Sequence, residues 1–191
     1  MFGVFLDIIF RSIKLDKSLY KDPKSFENLS LYYAGIIIIT NGIAGLVAQN
    51  NFIKDMSAVY GIDNLYNTSF LMALFSSLLG WLVWSTLIYI IGVKLFSENK
   101  KIVNFKSVLI VVGYGHAPGL FRFFTILPEL LLPIIIITEL WIFASLSMGV
   151  KEILNFKSNL KSFGVVILSF LIILLIFSYL VGGGFNFAAT S

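Results

Sequence analysis

The chain has no cysteine and only one histidine in 191 residues. Without cysteine there can be no disulfide, thiol nucleophile, iron–sulfur cluster or thiolate-bound zinc. With His116 alone, a site needing two imidazoles from one chain is excluded, including the His-Glu-x-x-His metalloprotease pattern. Charge is sparse as well. Only 13% of residues are charged while 58% are hydrophobic, and the mean hydropathy is +0.94. A soluble domain carries about 25% charged and about 45–50% apolar residues. So few charges cannot cover a soluble surface, and so much apolar side chain excludes a disordered chain. The composition belongs in a bilayer. All five Asp residues lie outside the long apolar runs, which excludes an intramembrane aspartyl dyad. There is no Gly-x-Ser-x-Gly pattern, no His-x-x-x-x-Asp pattern and no Gly-rich phosphate loop after a strand. The expectation is a protein that is not an enzyme, with no cofactor and no metal.

What the chain does have is long apolar runs. A spanning helix needs about 20 mostly apolar residues, and five segments qualify: 29–48, 70–95, 105–124, 130–150 and 163–181. The runs are continuous rather than alternating, which argues against barrel strands. The expected fold is an all-α membrane protein, a bundle of five transmembrane helices with an N-terminal amphipathic interfacial helix. Residues 1–28 form the N-terminal segment, 29–182 the membrane domain and 183–191 a tail. Connections are too short to carry a soluble domain. The third span is the weakest, because Gly113, Gly115, His116, Pro118 and Gly119 interrupt it.

The N-terminus lacks the basic start of a secretory signal, and Asp7 and Arg11 interrupt its apolar stretch. On a helix, Asp7, Arg11, Lys14 and Ser18 form one polar stripe, with Phe2, Phe5, Leu6, Ile9, Phe10 and Ile13 opposite. That pattern suits a helix lying among lipid headgroups; a helix packed on the bundle or a loose terminus are the alternatives. Orientation follows from the basic residues in short flanks. Arg11, Lys14, Lys17, Lys21, Lys24, Lys94, Lys100, Lys101, Lys106, Lys151, Lys157 and Lys161 fall on one side, and only Lys54 and Arg122 on the other. Twelve against two places the N-terminus in the cytoplasm and the C-terminus outside, which requires an odd number of spans. The net charge of +4 then serves orientation and contact with anionic lipid, not nucleic acid.

Two stretches echo one another. Trp84 precedes Gly92-Val93-Lys94 by eight residues, and Trp141 precedes Gly149-Val150-Lys151 by eight. Asn104-Phe105-Lys106-Ser107 follows the first set and Asn155-Phe156-Lys157-Ser158 the second. Either spans two–three and four–five are parallel repeats, or interfacial Trp and Lys recur wherever a helix meets headgroups. With Gly92 and Phe96 closing the second span, Gly113-Tyr114 and Pro118 in the third, and Trp141, Leu146 and Gly149 in the fourth, residues 31–181 resemble the Yip-type (Ypt-interacting-protein) membrane family. The resemblance implies a non-enzymatic integral membrane protein with five spans. In eukaryotic relatives it implies Rab-type GTPase partners and vesicle traffic. Their long acidic or proline-rich cytosolic segment and acidic-Leu-x-Gly-Pro stretch are missing here, so GTPase binding is not expected. The chain is more similar to the short prokaryotic members, which implies a multi-pass protein of a prokaryotic cytoplasmic membrane. Its expected partners are the bilayer, other membrane proteins or a second copy.

Ionisable residues inside a bilayer are costly and invite a functional reading. His116 and Glu139 sit near the centres of spans three and four. If the two spans form an α-helical hairpin turning near residues 126–127, a rise of about 1.5 Å per residue puts Glu139 level with Tyr114 and about 3 Å from His116 along the axis. Three arrangements are open: a neutral Glu139 bonded to Tyr114 or His116 as interhelical glue, a proton or cation pathway through them, or residues facing different neighbours. Desolvation favours neutral forms over a salt bridge. Gly115 and Gly119 permit close backbone approach. Pro118 has no N–H for the Tyr114 carbonyl, so a kink is expected there; such a break serves helix packing or, in transporters, a substrate site. Ala73, Ser76, Ser77 and Gly80 form a small-residue face on span two, expected to receive span three. Two functions follow: a membrane-organising scaffold or adaptor, or a small transporter or channel using Glu139 and His116.

Overall fold

The computed structural model describes residues 2–21, 26, 29–60, 69–96 and 103–186; Lys24, Lys100, Lys101 and the tail beyond residue 186 lie outside them. Among the described residues there is helix and no strand. The elements are α1 (Phe2–Ile13), α2 (Ser18–Lys21), α3 (Ser30–Tyr60), α4 (Phe70–Ile88), α5 (Phe105–Gly115), α6 (Leu131–Leu154) and α7 (Asn159–Asn186). α4 continues as a π-helical stretch, Tyr89–Leu95, and α5 continues past His116 as a 3₁₀ helix, Ala117–Ile126. Five of these helices are long and apolar enough to cross a membrane: Ser30–Val59, Phe70–Leu95, Phe105–Ile126, Leu131–Leu154 and Asn159–Tyr179. α3 runs well past residue 48, the expected end of the first span.

α5 with its extension is the central helix. In its most apolar stretch 61% of the residues are buried, against 17% to 33% in those of the other four. This explains why the third span looks weakest as sequence. A helix ringed by protein needs small residues for close approach more than it needs lipid-facing bulk. A Cβ on Gly113 would lie 2.5 Å from the Cβ of Ala34 on α3, and one on Gly115 would collide with Leu146 of α6. On the same face of α6, one turn on, Gly149 lets Val111 of α5 and Tyr20 of α2 approach, at 2.6 and 3.0 Å from where its Cβ would be.

The small-residue face of α4 receives α3 rather than span three. A Cβ on Gly42 would meet Ser77, while one on Gly80 would meet nothing within 4 Å. Contact with α5 comes instead from Trp81, whose Nε1 donates to the Leu109 carbonyl at 2.9 Å. A bulky amphipathic ring reaches across where a stripe of serines would be too short.

α1 is amphipathic and packs on the bundle along one side. Ile8 and Ser12 are buried, Phe5 and Ile9 pack against the core, and Phe2, Val4 and Phe10 stay exposed. Arg11 knits the polar stripe, reaching Asp7 at 3.3 Å, Asp16 at 3.2 Å and Ser18 at 2.9 Å. Leu15 closes the helix with φ 55°, as the Asp16 N–H returns to the Arg11 carbonyl at 2.8 Å. α6 ends the same way at Asn155, φ 53°, with the Phe156 N–H on the Lys151 carbonyl at 3.0 Å. Asn suits that left-handed position better than Leu does.

Candidate functional site: a helix break and an intramembrane ion pair

The break in span three sits where Pro118 falls. Proline is tolerated at the start of a helix because its missing N–H is unneeded there, and Pro118 occupies the first turn of the 3₁₀ segment. The Tyr114 carbonyl, four residues earlier, cannot bond to it. Ser12 of α1 supplies a donor instead: its Oγ reaches the Tyr114 carbonyl at 2.5 Å. The same hydroxyl lies 3.2 Å from Ser145 Oγ, which is 3.4 Å from the Tyr20 hydroxyl. A polar knot of α1, α2 and α6 thus closes around the break, all of it buried.

His116, Tyr114 and Glu139 do not come together. The His116 Nδ1 lies 2.7 Å from the Val112 carbonyl; a carbonyl only accepts, so Nδ1 carries the proton. Its ring meets Trp84 edge-on, centroids 5.5 Å apart. The Tyr114 side chain is fully buried and lies against Ser30 at the start of α3. Glu139 forms an ion pair with Arg122, through the guanidinium Nη2. The Arg122 Nε also faces Thr138 Oγ1 at 3.3 Å.

The reason is helical geometry. Residues 117–126 are 3₁₀, not α, with about 3.0 residues per turn and about 2.0 Å rise against 3.6 and 1.5 Å. Both depth and facing direction therefore shift along that half of the span. Arg122, assigned from sequence to the external flank, turns inward with its side chain only 13% exposed. The pair is ionic although desolvation favours neutral groups, because each charge supplies what the other needs and Thr138 adds a polar contact.

Two cavities flank Arg122. One, about 330 Å³, is lined by Gly45, Gln49, Phe52 and Glu139 among others; the second, about 400 Å³, by Asn41, Gln49, Ser76 and Ser77. Gly119 lets the Asn41 amide oxygen press against the 3₁₀ backbone. That oxygen is buried without a hydrogen bond among the described residues. Among the described residues no group of three His, Asp or Glu could hold a metal ion.

The Yip1 domain matches residues 17–180 of this chain, most of its length and the whole five-helix bundle. The chain belongs to the Yip1 domain family. No curated protein and no solved structure matches it. Within this Yip1 domain, the residues that carry the family resemblance are contact residues. Gly92 sits in the π-helical stretch against Leu154 and Val165; Leu146 packs under Gly115; Trp141 stacks on Phe121 at 5.5 Å and 11°. The Trp141 Nε1 also donates to the Ile13 carbonyl at 2.9 Å, tying α6 to the end of α1. α1 itself precedes the matched residues.

Proposed function

We propose that this Yip-family protein is a non-enzymatic membrane scaffold or adaptor that organises the bilayer or its membrane-protein neighbours. The supporting observation is the use made of the family's own residues. Gly92, Gly113, Leu146 and Gly149 go into helix contacts, and they are not among the residues lining the cavities beside Arg122. The centre of the bundle, from Gly113 to Gly119 save for part of His116, is packed rather than hollow. Its partners on this reading are lipid and other membrane proteins, including a second copy, with neither nucleic acid nor a GTPase among them. The N-terminus and the lysine-rich end of the bundle face the cytoplasm of a prokaryotic cell, and the C-terminus faces outward.

A transporter or channel is the second reading, favoured by the two cavities beside Arg122, one of them also lined by Glu139. Its charged centre would be that pair, since His116 is occupied by Val112 and Trp84. Flux across reconstituted vesicles under an imposed proton or cation gradient separates the readings. Equal, low flux from wild type and Glu139→Gln is expected. Wild-type flux lost in a well-folded Glu139→Gln protein would overturn the scaffold.

A further inference from the structure

A cleft of about 510 Å³ opens at the lysine-rich end of the bundle, between α6, α7 and the turn joining α1 to α2. Its walls are graded. On α6, Ala144, Met148 and Lys151 recur at i, i+4 and i+7, one face of a helix. The ammonium lies toward the helix end and the apolar groups toward the middle of the bundle. On α7 the order is the same, from Asn159 at the end to Phe163 one turn in. Lys17 lines the cleft from the turn after α1.

The charges there are available. Nearby Lys21 is paired with Glu152 at 3.3 Å, and Arg11 with Asp7 and Asp16. Among the described residues Lys17 has no carboxylate partner, and the Lys151 ammonium has none either, donating to the neutral Asn159 amide oxygen at 2.5 Å. An ammonium carries three N–H donors, so Lys151 keeps donors to offer. The hydroxyls of Ser147 and Ser162 are already given to the Phe143 and Asn159 carbonyls, so recognition of an anion falls to the two lysines.

A cleft that is cationic at the helix ends and apolar toward the middle matches an amphiphile with an anionic head. We propose that it binds one anionic glycerophospholipid, the phosphate between Lys17 and Lys151 and an acyl chain along Ala144, Met148 and Phe163. A free phosphate would leave the apolar half unused. A bound lipid would bridge the turn after α1 to the α6–α7 corner.

The full chain in non-ionic detergent can be titrated with phosphatidylglycerol, phosphatidylcholine or inorganic phosphate, with lipid adducts followed by native mass spectrometry. Phosphatidylglycerol is expected to bind at least tenfold tighter than phosphatidylcholine. The Lys17→Gln/Lys151→Gln protein should lose that preference, while Lys157→Gln, outside the cleft lining, should stay within twofold of wild type. Ala144→Phe, which leaves both charges and fills the apolar half, should also weaken phosphatidylglycerol binding. Equal loss in Lys157→Gln would mean diffuse attraction to the basic end and overturn the site. Binding of inorganic phosphate as tight as the lipid, or no loss in Ala144→Phe, would overturn the lipid assignment.

Discussion

An ionised carboxylate within a hydrocarbon layer is stable only beside a cation, and Glu139 has Arg122. Removing one partner strands the other. Glu139→Leu is expected to destabilise the bundle by about 3 kcal/mol, the low end for a broken buried pair because Glu139 itself is half-exposed. Arg122→Leu should cost a similar amount. The double variant, with neither charge, should lose less than either single one, since an apolar replacement of both partners is often close to neutral. Reversible unfolding in detergent gives the three values; strictly additive losses would show that the ion pair contributes nothing. Glu139 stands out in the sequence as an ionisable residue in an apolar run, but its partner was not legible. The pairing depends on ten residues adopting 3₁₀ geometry, and neither periodicity nor a proline alone specifies how far such a segment extends. The complementary charge in the adjoining span is the available signal, hidden because Arg122 lies so near the end of its apolar run that it reads as flank.

The same tetrapeptide does two jobs in the helices it joins. Asn104 stands before α5 in extended geometry and accepts from the Ser107 N–H at 2.8 Å, whereas Asn155 ends α6 in left-handed geometry. Likewise Trp84 packs among His116, Phe143 and Phe170, whereas Trp141 hydrogen-bonds to α1. The sequence echo therefore does not extend to equivalent local structure. Glycines too are unequal, which gives a paired test. Gly149→Ala puts a methyl group against Val111 and Tyr20 and should cost about 1–3 kcal/mol, as overpacking does. Gly35→Ala on α3 meets nothing within 4 Å and should stabilise by about 0.4–1 kcal/mol through the unfolded chain. Opposite signs in thermal unfolding check this. The turn after α1 should respond to acid. The Ser18 hydroxyl and amide, and then Arg11, hold the Asp16 carboxyl below its ordinary value of 3.8. A lowered value means that the folded turn takes up the proton less readily than the unfolded chain. Its contribution is complete above the ordinary value and disappears as pH falls through the lowered one. Hydrogen-exchange protection of α1, corrected for intrinsic rates, should therefore fall below about pH 4 in wild type. Asp16→Asn should already be less protected at pH 6, with little further change.

For the molecule as a whole, charge at the two ends of the bundle decides how it sits. Lys17, Lys21, Lys106, Lys151, Lys157 and Lys161 belong to the end where α3, α5 and α7 begin and α6 finishes. Arg122, half of the opposing count in the sequence, is withdrawn into an ion pair. Lys54 near the end of α3 is then the remaining basic residue on the far side, so the asymmetry is steeper than the sequence count. Such asymmetry is legible without a structure because it depends on which short connections carry Lys and Arg, not on how helices pack. The chain's role was less legible, because the residues that resemble its family are contact residues whose neighbours only the fold reveals. The native absence of cysteine permits a clean test of orientation. Single cysteines at Lys157 and Ser191 should divide: a membrane-impermeant maleimide applied to intact cells should label position 191 and spare position 157 until the membrane is opened. Reversal of the two would mean that the lysine-rich end faces outward, against the basic asymmetry. Labelling of both from the same side would mean that the stretch from Lys157 to the C-terminus does not cross. That would remove α7 from the spanning set, although it is the most apolar of the five. With an even number of crossings left, the charge argument for opposite termini would fall with it.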